Sequence, residues 1–208
     1  MGYSMFGFLK RKKHNNAKGQ IFLFPGREQD PEEMMKLYSN EKSIESTYNI
    51  YCVYPEGEWY PRPNGITKQQ KSVKGLEKTK TDIIKIIGDM SKSDGFLESD
   101  TILAGYSAGA VVACSIWLAG KYGTLVVHNG CVLDVNTIPI TDNPKKCLLF
   151  HNRNDNCFAW EERYLPTRNT LISNGYDVNC VERSFGGHGI TPADVSMAAI
   201  MLASPKTS

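Results

Sequence analysis

Six short apolar runs, each closed by turn-forming residues, constrain this chain more than any other feature of its sequence. They are Ile21 to Phe24 before Pro25-Gly26, Tyr48 to Tyr54 before Pro55, and Thr101 to Ala104 before Gly105. The others are Thr124 to Val127 before Gly130, Cys147 to Phe150 before Asn152, and the looser Val178 to Val181 before Gly186. Continuous apolar runs of this length suit strands buried on both faces. The segments between them read as helices. From Val73 onward, Leu76, Ile83, Ile87 and Met90 recur at helical steps with Lys and Asp between them. Ser107 to Leu118 is rich in Ala, Val and Ile, as a buried helix would be. Residues 166–174 start with Pro and stop before Gly175. Thr191-Pro192-Ala193-Asp194 reads as the capped start of a last helix. The alternation predicts an α/β fold, a mostly parallel sheet of about six strands flanked by helices. On such a sheet the chemistry belongs just after the strands, at their carboxyl ends.

At 208 residues, 41% apolar and 22% charged, the chain can bury a full core without disulfides or metals. The charge is 24 basic against 22 acidic residues, a net +2 that does not suit a strongly basic nucleic-acid binder. Lys10, Arg11, Lys12, Lys13 and Lys18 supply five of the basic residues, so residues 19–208 carry 19 against 22 and a net −3. Residues 1–18 are accordingly expected to form a basic, flexible arm, with one domain over 19–208. No stretch of eighteen apolar residues exists, so no integral membrane association is expected. The mildly apolar start turns basic only at Lys10, the reverse of a secretory signal. The six cysteines form no Cys-x-x-Cys pair and no zinc-spaced cluster with His. They read as free thiols in a reducing compartment, and the expected location is cytoplasmic.

Gly105-Tyr106-Ser107-Ala108-Gly109 is a G-x-S-x-G pentapeptide set between a strand and a helix. In that position it reads as a nucleophile elbow, a strained turn that lifts a serine hydroxyl clear of the sheet. The glycines permit strand and helix to approach closely. A serine needs a base, and the base needs an acid to orient it. In chain order the acid comes next and the histidine last. Of His14, His128, His151 and His188, only His188 lies late enough, in the loop Phe185-Gly186-Gly187-His188-Gly189. Asp155, following the run Cys147–Phe150, is favoured as the acid over Asp134. The oxyanion donors are expected to be two backbone N–H groups, those of Ala108 and Arg27. The side chain of Arg27 either meets substrate or points to solvent. Trp59 and Tyr60, with Pro61 and Pro63, either wall an acyl pocket or cover the sheet as core.

These residues resemble a known family. Phe22-Leu23-Phe24-Pro25-Gly26, Thr101 to Gly109, Asn154-Asp155 and Gly186-Gly187-His188-Gly189-Ile190 are similar to the phospholipase/carboxylesterase family, the acyl-protein-thioesterase-like α/β-hydrolases. The resemblance covers roughly residues 19–203. It implies a compact α/β-hydrolase fold without a large cap. It also implies Ser107, Asp155 and His188 as triad and Arg27 and Ala108 as oxyanion donors. The implied substrate is a small-molecule ester or thioester, hydrolysed without metal or cofactor. Two departures stand out: Pro25-Gly26 where the family has His-Gly, and Ala108-Gly109-Ala110 where it often has Gln-Gly-Gly. With only the arm before Ile21, the opening antiparallel strands of the full fold are expected to be missing or reduced. A lysophospholipase or short-acyl esterase with the same triad, and a hydrolase fold reduced to a binding module, are the alternative readings. Nothing in the sequence sets an oligomeric state.

Overall fold

The computed structural model describes residues 6–10, 16–60 and 68–204, with side chains from 75 onward in the last segment. Its elements run β1 (Phe6–Lys10), β2 (Gly19–Phe24), α1 (Pro31–Ser39), α2 (Lys42–Glu45), β3 (Tyr48–Pro55) and α3 (Lys68–Asp94). Then come β4 (Thr101–Tyr106), α4 (Ala108–Ala119), β5 (Thr124–His128), β6 (Lys146–Asn152), α5 (Leu165–Ser173), β7 (Asp177–Arg183) and α6 (Pro192–Ala203). The strands form one seven-stranded sheet in the order β1-β3-β2-β4-β5-β6-β7. All neighbours are parallel except β1, which runs antiparallel to β3.

The apolar runs become strands because both of their faces are covered. Phe22, Phe24, Leu103, Leu125, Val127, Cys147 and Leu149 point to a core shared with α3, α4 and α5. Their neighbours Ile21, Leu23, Ile102, Ala104, Val126, Leu148 and Phe150 point the other way, to a core shared with α1 and α6. Period-two alternation between two buried faces leaves no polar positions, hence the continuous runs. Helix α4 is buried from Ala108 through Cys114 and again at Ile116 and Trp117, as its small apolar residues require. Helix α6 opens with a full capping box: Thr191 Oγ1 accepts from Asp194 N–H while the Asp194 carboxylate accepts from Thr191 N–H.

The sheet has seven strands where about six were expected, and β1 lies within residues 1–18. Phe6–Lys10 pairs along the outer edge of β3, with Phe6 buried and stacked on Trp59, 6.1 Å between ring centroids. Among the described residues, β1 is the one antiparallel strand that precedes the parallel ones. Residues 1–5 and 11–15, including Arg11, Lys12, Lys13 and His14, lie outside the described residues, as do Pro61 and Pro63. Among the described residues no cap interrupts the carboxyl edge; the connection 129–145 carries only a single turn of 3-10 helix at Val135–Thr137. No helix among the described residues is long and apolar enough to cross a membrane.

Candidate active site

Ser107 sits between β4 and α4 with φ 54° and ψ −121°, a backbone conformation that costs energy for any residue with a side chain. The surroundings hold it there. Its N–H donates to the carbonyl of His128 at the end of β5, at 3.0 Å. A Cβ on Gly109 would lie 2.2 Å from Phe24 O and 2.3 Å from Pro25 O, and one on Gly105 would lie 2.5 Å from Ala110 Cα. Both glycines of the pentapeptide are therefore required by contact between backbones, which cannot move aside as a side chain can.

His188 reaches Ser107 from the loop between β7 and α6. Its Nε2 is 2.8 Å from Ser107 Oγ and its Nδ1 is 2.8 Å from Asp155 Oδ2. An ionised carboxylate can only accept, so Nδ1 carries the proton and Nε2 is left to accept from the serine hydroxyl. The Asp155 side chain is fully buried. Burial alone would raise its pKa, but hydrogen bonds from His188 and from the N–H groups of Phe158 and Cys157 outweigh burial and hold the carboxyl below its ordinary range. The acid stays ionised where it faces the imidazole.

The loop carrying His188 is fastened by four side chains from other elements. Asn152 Nδ2 donates to Gly187 O at 2.6 Å, and Asn154 Oδ1 accepts from Gly187 N–H at 3.0 Å. Tyr106 donates its hydroxyl to His188 O at 3.1 Å, and Asn129 Nδ2 donates to Gly189 O at 2.5 Å. Asn129 also accepts from Asn152 N–H, which ties the ends of β5 and β6 together beneath the loop. The imidazole itself lies between the rings of Tyr106 and Phe158, at centroid distances of 5.3 and 5.8 Å. Tyr106 and Asn154 lie within motifs visible in the sequence, but the fastening role of all four has no sequence signal beyond a polar side chain just after, or at the end of, an apolar strand.

The two expected oxyanion donors lie at the ends of neighbouring strands. Ala108 opens α4, where its N–H has no partner within the helix and the positive end of the helix dipole adds to it. Arg27 follows β2 in a tight loop closed by Gly26 N–H to Gln29 Oε1 and by Gln29 N–H to Gly26 O. A Cβ on Gly26 would stand 2.7 Å from the Tyr106 ring and 3.4 Å from Ser107 Cβ, so this loop packs closely against the serine's turn. The Arg27 side chain pairs with the carboxylate of Glu58.

Trp59 and Tyr60 are buried, at 3% and 5% exposure, and Trp59 also lines a cavity shared with Gly26, Arg27 and Glu58. Trp59 also supports the Arg27 loop from behind, because its indole N–H donates to Pro25 O at 2.8 Å. Asp134 does not approach His188; its carboxylate caps the 3-10 turn by accepting from Asn136 N–H. His128 is buried against Tyr38, whose hydroxyl lies 2.8 Å from its Nε2, and His151 stacks on Tyr164 with Nε2 2.9 Å from Phe158 O. Burial lowers the pKa of both below the ordinary histidine value, and the imidazole that meets Ser107 Oγ is that of His188. Cys52, Cys114, Cys131 and Cys147 are buried, and burial raises all four thiols. Cys157 and Cys180 are exposed, and all six are free.

No protein-family model matches the chain, and no curated protein matches it in sequence. Solved structures do match in shape. A phospholipase/carboxylesterase from Dyadobacter fermentans is 15% identical with a TM-score of 0.80, covering 98% of this chain and 99% of its own. The Bacillus cereus carboxylesterase is 17% identical with a TM-score of 0.79, covering 96% and 94%. SOBER1 from Arabidopsis thaliana is 15% identical with a TM-score of 0.72, covering 88% and 97%. With the strained strand-to-helix turn at Ser107, the mostly parallel sheet and the strand order, these likenesses identify the fold of this chain as that of the α/β-hydrolases.

Proposed function

We propose that the protein is a serine hydrolase that cleaves carboxylic esters or thioesters through an acyl-enzyme. One observation carries this reading: Ser107, His188 and Asp155 stand in series, each link 2.8 Å, with the serine on a strained elbow at a helix start. His188 Nε2 takes the hydroxyl proton as Ser107 Oγ attacks the acyl carbon. Asp155 keeps the imidazole in the required tautomer and stabilises the imidazolium that forms. The N–H groups of Ala108 and Arg27 receive the oxyanion, where fixed donors outperform mobile water. The alcohol or thiol leaves with the proton from His188, and water repeats the path with roles reversed. The fold shared with carboxylesterases, the phospholipase/carboxylesterase and SOBER1 supports this reading, as does the sequence resemblance to the acyl-protein-thioesterase-like family.

Nitrophenyl esters and acyl thioesters of graded chain length test it. Turnover by the wild type that falls at least about a thousandfold in Ser107→Ala is the expected result. Equal rates in the two proteins would overturn the reading. A wild type that binds these esters without turning them over would instead mark a binding module.

A further inference from the structure

Cys157 is the one exposed thiol beside the candidate triad. It follows Asp155 by two residues, and its backbone N–H donates to Asp155 Oδ1 at 2.7 Å. Its Sγ, an Asp155 carboxylate oxygen and a ring nitrogen of His188 all lie within 4.8 Å of one another. We propose that Cys157, Asp155 and His188 form an inhibitory site for a thiophilic divalent cation of the zinc class, which switches the hydrolase off by occupying its base. The proposal rests on the hydrolase reading for its consequence, and on the side-chain cluster alone for the binding.

The donor set fits that class of ion. One sulfur, one imidazole nitrogen and one carboxylate oxygen are the three ligand types zinc accepts, and a fourth position is left for water. Thiolate and carboxylate together carry two negative charges against the dication, with the imidazole neutral. Zinc bonds of about 2.0–2.3 Å place tetrahedral ligand atoms somewhat closer together than the cluster is without metal. The Cys157 side chain is exposed and its Sγ bonds weakly to Asn156 Oδ1 at 3.6 Å, so closing the gap costs that contact and a change of side-chain rotamer. Approach is from solvent on the Cys157 side, because Asp155 is fully buried and His188 is 17% exposed. Calcium and magnesium, which take oxygen ligands, do not suit a site with one carboxylate.

Binding replaces the thiol S–H bond by a sulfur–metal bond and releases that proton to buffer. The imidazole lone pair goes to the metal. If Nε2 is the ligand, it no longer accepts the Ser107 proton. If Nδ1 is the ligand, its proton moves to Nε2, which then carries a hydrogen and no longer accepts from Ser107, and the Nδ1 hydrogen bond to Asp155 is lost. Either way His188 ceases to act as base. Metal ions are reversible ligands here, so a chelator restores the enzyme.

Two measurements test this on the full chain. Co2+ binding is followed by its thiolate-to-cobalt absorption in the near ultraviolet, and Zn2+ by competition against it, in wild type, Cys157→Ser and His188→Gln. Zn2+ inhibition of ester turnover is followed in wild type and Cys157→Ser, each relative to its own metal-free rate, with chelator reversal. One cobalt per chain, weakened about tenfold or more in both variants, with inhibition weakened alike in Cys157→Ser, is the expected result. Binding unaffected by either variant, or weakened by Cys157→Ser but not by His188→Gln, would overturn the site. The absorption arm stands whether or not the protein hydrolyses esters. An inactive wild type that still binds cobalt through Cys157 and His188 contradicts the hydrolase reading and leaves the metal site in place.

Discussion

Asn152 Nδ2 donates to the carbonyl of Gly187 at 2.6 Å, fixing the end of β6 to the residue before His188. The chain at Gly186 and Gly187 runs at φ 106° and 56°, so nothing in its own conformation holds it in place. The orientation of the imidazole is therefore set from outside the loop.

Asn152→Asp is expected to lower kcat about ten- to a hundredfold with a smaller effect on KM. The new carboxylate faces the Gly187 carbonyl with no hydrogen to offer, and His188 loses its register against Ser107. Steady-state kinetics beside a thermal melt checks this. A drop in melting temperature with unchanged kcat would show that the bond stabilises the fold but does not position the base.

Asp155→Asn is expected to reduce turnover about a thousandfold or more, because the amide no longer enforces the tautomer that leaves Nε2 free. Asp134→Asn is expected to stay within a few-fold of wild type, since that carboxylate only caps a turn. Parallel kcat/KM measurements on the two variants check the assignment, and the reverse ranking would move the acid to Asp134.

Much of this site is legible in the sequence for a physical reason. Ser107, Asp155 and His188 each follow a strand, and strands buried on both faces announce themselves as unbroken apolar runs ending in turn residues. Strand β1 escapes notice because it lies at the sheet edge: Phe6 is buried, Phe8 is 55% exposed, and a basic run follows. Helix α1 leaves a weaker trace, although Asp30-Pro31-Glu32 has the composition of a capped start and Asp30 does accept from Glu32 N–H. The supports of the His188 loop are not legible, because Asn129, Asn152 and Tyr106 act on residues about sixty, thirty-five and eighty positions away. Trp59 offers an even choice between pocket and core because an aromatic residue after a strand satisfies both.

Trp59→Phe is expected to keep the ring packing on Phe6 and Phe24 while removing the hydrogen bond to Pro25 O. The cost in stability should be about 1 kcal/mol, and kcat should fall by about tenfold as the Arg27 loop loosens. Denaturant unfolding together with kcat reads both. A full stability loss with no change in kcat would remove Trp59 from the support of the oxyanion loop.

Stability is expected to fall on acidification in two stages. Burial of His128 depresses its pKa in the folded state, so below its ordinary value of 6.5 the unfolded chain binds more protons and unfolding is favoured. The buried Asp194 raises that pKa and the half-buried Arg183 lowers it further. Asp155, also depressed, contributes stability that is present above its ordinary value of 3.8 and is lost as pH falls through its lower folded value. Urea unfolding between about pH 7 and 5 should therefore show a declining midpoint, and His128→Gln should flatten it in part, the remainder coming from His151, whose pKa burial also lowers. A midpoint independent of pH in the wild type over that range would contradict the buried neutral state of His128.

The central claim, that His188 and Asp155 activate Ser107, is tested most directly by a fluorophosphonate probe read by mass spectrometry of the labelled peptide. The predicted result is one probe per wild-type chain, attached at Ser107, with labelling absent in Ser107→Ala and slowed at least about a hundredfold in His188→Gln. A wild type that does not react, or one that labels no faster than Ser107→Ala, would contradict it.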